Sequence, residues 1–125
     1  MATISTREPT VGSPFANVFS ISDGLNISDS TGIPYLYLTP LEISVHDLKK
    51  DNRASLTMSL AQGKYCDRKR YDPEDPRCAH IVLTGKIVRV TKETEQLFAK
   101  KALFERHPEM KDWPKGKEKQ NFKNI

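Results

Sequence analysis

A chain of 125 residues and 14.2 kDa accommodates one hydrophobic core and leaves little room for a second. With 37% apolar residues, 8% aromatic residues, a net charge of +4 and no apolar run near the roughly 20 residues of a bilayer span, the composition excludes collagen-like, membrane-spanning and strongly disordered chains. Residues 1–91 carry 11 bases and 10 acids and residues 92–125 carry 9 and 6, so the excess lies at a Lys-rich end that reads as solvated rather than as a nucleic-acid surface.

Ala2 to Thr6 is a short β-prone run, and Pro14 to Ser22 is a second, in which Phe15, Phe19 and Ile21 alternate with small or polar neighbours. Residues 22–32 are dense in turn formers and have almost nothing to bury, so they read as an exposed loop. Ile33 to Thr39 reads as a strand with Pro34 confined to its start, where a missing donor is tolerated. Leu41, Val45 and Leu48 recur at helical spacing and predict an amphipathic helix over 41–50. Ala54, Leu56, Met58 and Leu60 alternate with Ser55, Thr57 and Ser59, the clearest half-buried strand of the chain.

Residues 61–78 are a charged excursion between strands, long enough to imply a task of its own. Ala79 to Val90 reads as a long strand with a bulge or bend at Gly85. Thr91 is placed to cap a following helix whose buried side would come from Leu97, Phe98, Ala102, Leu103 and Phe104, and His107-Pro108 stops it. After Trp113-Pro114 no closing strand is visible. The elements predict a mainly β, α+β fold, an antiparallel sheet or small barrel with flanking helices, over residues 1–114, followed by a disordered polar tail over 115–125 that carries Lys115, Lys117, Lys119 and Lys123.

Asn26-Ile27-Ser28 is an N-glycosylation acceptor placed in the loop predicted to be exposed. Cys66 and Cys78 bracket the charged excursion and are either bridged or two reduced thiols; a bridge would add roughly 3 kcal/mol. His80 lies near Cys78 without a second cysteine pair, so no metal site is expected. His46, His80 and His107 stand beside no nucleophile signature and read as structural. There is no Gly-rich phosphate loop, although a flavin phosphate held by Arg and Ser/Thr side chains on strands would leave no short motif.

Seven blocks occur in a consistent order: Ala2-Thr3-Ile4-Ser5-Thr6, Pro14-Phe15-Ala16-Asn17-Val18, Ser22-Asp23-Gly24, Gly32-Ile33-Pro34-Tyr35-Leu36-Tyr37, Ala54-Ser55-Leu56-Thr57-Met58, Asp72-Pro73-Glu74-Asp75-Pro76-Arg77-Cys78, and Phe104 to Met110 with Trp113-Pro114. Together they resemble the CREG (cellular repressor) family of secreted glycoproteins. The resemblance implies a split β-barrel of the pyridoxamine-phosphate-oxidase-like, FMN-binding class, assembled as a homodimer, found in lysosomes and outside cells, and without known catalysis. It further implies a flavin pocket at the dimer interface obstructed by a loop that maps onto Asp72, Pro73, Glu74 and Asp75, so that no cofactor is expected. The two prolines and three acids of residues 72–76 make a stiff, negative loop that would oppose a phosphate.

Glycans would link such a protein to the mannose-6-phosphate receptor, and the cellular role implied is restraint of proliferation and support of differentiation, with Asn26 as the attachment point here. Against the family pattern the chain lacks a leader and helix before Ala2 and further barrel strands after Trp113-Pro114, which predicts a barrel short of its last strands. The alternative function is an FMN-dependent oxidoreductase of the same fold. A haem-binding relative would need an axial ligand from His46, His80 or His107.

Overall fold

The computed structural model describes residues 1–113 and 120–124. Its elements are β1 (Ala2–Ile4), β2 (Pro14–Ala16), β3 (Tyr35–Leu38), α1 (Ile43–Lys50), β4 (Arg53–Ser59), α2 (Tyr65–Lys69), β5 (His80–Arg89), α3 (Glu93–Arg106) and β6 (Gln120–Asn124), with short 3-10 turns at Ile27–Asp29, Leu60–Gln62 and Pro108–Asp112. The six strands form one antiparallel sheet in the order β2-β1-β4-β5-β6-β3.

Strand β5 joins the two halves. Its residues 80–86 pair with β4, and Ile87 to Arg89 pair with β6. The ladder with β4 runs without interruption through Ala54↔Gly85, so the bulge expected at Gly85 is absent and the change of partner falls two residues later.

β3 is apolar at successive positions because both of its faces are covered. Leu36 and Leu38 enter one cluster with Val45 and Leu48 of α1, Ala54 and Ile87; Tyr35 enters a second with Val90, Ala99 and Leu103 of α3 and Met110, and Tyr37 packs against it. Edge-to-face ring contacts, Tyr35 on Phe98 and Tyr37 on Phe104, with centroids 5.9 and 5.6 Å apart, seat α3 on the sheet.

Helix α1 is latched to the N-terminal strands by Asp47. Its carboxylate is fully buried and accepts from Thr3 Oγ1 at 3.1 Å and from Thr6 N and Thr6 Oγ1 at 2.9 Å each. Burial alone would push this carboxyl up, but the Thr6 and Thr3 hydrogen bonds, with Arg7 nearby, hold it below the ordinary carboxylate range.

Several local expectations are corrected. The polar tail is not wholly without structure: residues 120–124 are β6, inserted between β3 and β5, while residues 115–119 and 125, with Lys115, Lys117 and Lys119, lie outside the described residues. Only Phe122 in this strand carries apolar weight, opposite Leu36, and Lys123 is paired at 2.8 Å with Glu95, which also accepts from the Tyr35 hydroxyl at 3.2 Å. Backbone pairing to two waiting edges, rather than hydrophobic alternation, makes it a strand. The predicted strand over 14–22 shortens to β2, with Ser22 making a single bridge to Tyr35. Leu41 and Leu97 are exposed, because α1 begins only at Ile43 and α3 packs through Ala99, Ala102 and Leu103. Lys92, not Thr91, precedes α3, and no side chain caps it.

Candidate functional site

Two loops and one cleft carry the candidate residues. In the first loop Asn26 is exposed and caps the 3-10 turn Ile27–Asp29: its Oδ1 accepts from Ser28 N at 2.8 Å, from Asp29 N at 3.2 Å and from the Ser28 hydroxyl. Its Nδ2 donates one proton to Asp29 Oδ2 at 2.8 Å, and the second has no side-chain partner among the described residues. The loop is tied at its base by Thr31 N and Thr31 Oγ1 donating to the Asp23 carbonyl at 2.9 and 2.7 Å, and by Ser22 Oγ donating to the Gly24 carbonyl at 2.9 Å. Gly24 lies so close to the backbone of Asp29 that a Cβ there would stand 2.3 Å from the Asp29 carbonyl oxygen.

In the second loop Cys66, on α2, and Cys78, just before β5, are joined as a disulfide with Cα atoms 5.6 Å apart, both buried. Within the segment they enclose, the basic run Arg68, Lys69 and Arg70 is followed by the acids Asp72, Glu74 and Asp75, with Asp67 before the run and Arg77 after the acids. Asp72 Oδ1 accepts from Glu74 N at 2.9 Å, Asp75 N donates to the Asp72 carbonyl at 2.9 Å, and Cys78 N donates to the Asp75 carbonyl at 2.7 Å. The Arg77 guanidinium forks onto Asp75 at 2.6 and 2.9 Å and stacks 4.3 Å over the Tyr71 ring. Hydrogen bonds from Arg77 side chain and backbone hold the Asp75 carboxyl down at about 2, so it is ionised throughout the physiological range.

A cleft of about 860 Å³ opens between the strap of residues 19–21, the end of β4, the start of β5, α2 and the end of α3. His80 and His107 border it and His46, on α1, does not. The Nε2 of His107 donates to the Ile21 carbonyl oxygen at 2.9 Å, which ties the end of α3 to the strap. Asp72, Pro73, Glu74 and Asp75 border neither this cleft nor the smaller ones beside the Asn26 loop and beside Trp113. Among the described residues no three His, Cys, Asp or Glu side chains gather as metal ligands, and no helix is long and apolar enough to cross a membrane.

The family model for the CREG β-barrel matches residues 1–124. The chain belongs to the CREG family. It is 57% identical over 116 residues to CREG1 of Gallus gallus, 51% identical over 114 residues to CREG1 of Homo sapiens and 44% identical over 115 residues to human CREG2. These alignments take in 92%, 91% and 92% of this chain but 60%, 51% and 39% of the relatives, so the chain spans about half the length of the curated relatives it matches. Among solved structures, a haem-binding protein from Mycobacterium smegmatis superposes with a TM-score of 0.71 at 17% identity, over 98% of this chain and 43% of that one. The protein Atu2129 from Agrobacterium tumefaciens does so with a TM-score of 0.70 at 18% identity, over 98% of this chain and 45% of that one. The fold is accordingly the split β-barrel of the α+β class that the family resemblance implied.

The residues that sequence reasoning missed are Asp47, which reads as one more polar helix residue, and the cations that border the cleft. Their signal is spatial: Arg68 and Arg106 are 38 positions apart in the chain, and both border the cleft.

Proposed function

We propose that this CREG chain is a noncatalytic glycoprotein module of the secretory route, delivered outside the cell or to lysosomes and acting in control of growth and differentiation through recognition rather than chemistry. The observation that carries the reading is the pairing of a closed Cys66–Cys78 bridge with an exposed Asn26 acceptor. A disulfide persists in oxidising compartments, and those are also where an Asn-x-Ser acceptor is glycosylated. A glycan on Asn26 replaces one Nδ2 proton and leaves the other for Asp29, so the capped turn tolerates the modification.

The acidic loop is read as a barrier to flavin. It offers a phosphate three carboxylates and one guanidinium, and that guanidinium is already committed to Asp75, so its residues do not fit FMN. Asp72 to Asp75 border none of the three clefts described above, and in this reading the obstruction acts across a protomer boundary, at a homodimer interface. Ile81 and Val82, consecutive in β5 and therefore on opposite faces, are 54% and 57% exposed, and a second copy is the natural cover for such a strand.

The test is expression behind a secretion leader in animal cells. The expected product loses mass on N-glycosidase treatment, Asn26→Gln abolishes that loss, and the untreated protein is retained on immobilised mannose-6-phosphate receptor and released by mannose 6-phosphate. Secreted protein without a sugar at Asn26 contradicts the reading.

A further inference from the structure

The residues bordering the 860 Å³ cleft divide by exposure. Phe19, Ile21 and Met58 are half-buried and Leu56 is buried, forming an apolar floor, whereas Lys64, Arg68 and Arg106 are exposed at its mouth. No Asp or Glu among the described residues borders it. Among the described residues three cations are ion-paired, Arg53 with Asp51, Arg77 with Asp75 and Lys123 with Glu95, at 2.6, 2.6 and 2.8 Å. The side chains of Lys64, Arg68 and Arg106 make no ion pair or hydrogen bond among the described residues.

We infer that this cleft binds an amphipathic oxyanion, an aliphatic body lying on Phe19, Ile21, Leu56 and Met58 with a carboxylate or phosphate head taken by Arg68 and Arg106 and supported by Lys64. A concave apolar floor with a few convergent polar groups is the ordinary build of a small-molecule site. Guanidinium forks match carboxylate and phosphate oxygens in two parallel hydrogen bonds, and among the described residues neither Arg68 nor Arg106 is ion-paired, although Arg106 also borders the cleft beside the Asn26 loop, where Asp23 lies. The apolar floor sets the other half of the preference, because a head group alone would leave Phe19, Ile21 and Met58 wet. The walls come from β4, β5, α2, the end of α3 and residues 19–21, the last held by His107 on the Ile21 carbonyl, so a ligand here would touch several elements at once.

The experiment uses the full chain and a fluorescent polyene fatty acid, with its methyl ester and a monoalkyl phosphate of equal length as arms. The acid and the alkyl phosphate are expected to bind saturably, the tighter of the two naming the head group, while the ester binds about tenfold more weakly or worse. Arg68→Gln with Arg106→Gln, both exposed positions, is expected to weaken the acid about tenfold and leave the ester unchanged. Equal binding of acid and ester, no saturable binding, or a double variant that binds the acid normally overturns the inference. Displacement of the probe by FMN at comparable affinity also overturns it, since the cleft would then be a flavin site. So does a double variant that loses a dimer seen by light scattering in the parent, since the cleft would then be a contact between copies.

Discussion

The two loops that carry the functional reading are held in opposite ways. Residues 22–32 have no covalent tie and bury none of their large side chain at Ile27, which is 98% exposed; they stand because their own polar groups satisfy one another around Asn26, Asp23 and Thr31. Residues 66–78 are closed by a disulfide, and their charges are arranged within the ring. A loop without a core can therefore be ordered by local hydrogen bonding or by covalent closure, and the two respond to different injuries.

Opening the covalent loop has the largest expected effect. Cys66→Ser with Cys78→Ser should lower unfolding free energy by about 3 kcal/mol in denaturant titration and expose the 67–77 segment to protease, while the Asn26 loop stays resistant. Retained stability and retained protease resistance would mean that the hydrogen bonds around Asp72 and Asp75 suffice, as they do in the other loop.

Asp47 supplies a third mode, a buried carboxylate that pins β1 and α1 without belonging to either loop. Asp47→Asn should cost about 2 kcal/mol, because it removes a charged acceptor from buried donors. Since the folded carboxyl titrates below its unfolded value, this stabilisation is complete above about pH 4 and disappears as pH falls through the folded value, so wild type and variant converge only in strong acid. Urea titrations of both proteins between neutral and strongly acidic pH check the sign.

In the hydrogen-bonded loop the sensitive position is Gly24. Gly24→Ala drives a Cβ into the Asp29 backbone and should cost about 1 to 2 kcal/mol, with faster amide exchange at Ser28 and Asp29 and no change around Cys66. The smallest effect is electrostatic. Arg77→Ala should leave the melting temperature unchanged yet return the Asp75 carboxyl from about 2 toward the ordinary range in an NMR titration, which shows that the fork orders charge rather than the fold.

Most strands and both long helices were legible because their signal is periodic: Ala54, Leu56 and Met58 alternate, and Val45 and Leu48 share a helix face. β6 was not, since Gln-Asn-Phe-Lys-Asn has one apolar residue and owes its strand to the open edges of β3 and β5. The two cysteines and the Asn26 acceptor could be read as local motifs, and the structure joins the first pair and exposes the second site. The cleft could not, because its floor and mouth draw on residues from Phe19 to Arg106 and no local pattern links them.

The central claim is that this split barrel acts by recognition and carries no flavin. It is tested most directly by a visible absorbance spectrum with in-line light scattering on the protein secreted from animal cells. A colourless dimer that stays colourless after incubation with excess FMN is the expected result, and a yellow dimer holding one FMN per chain would contradict it.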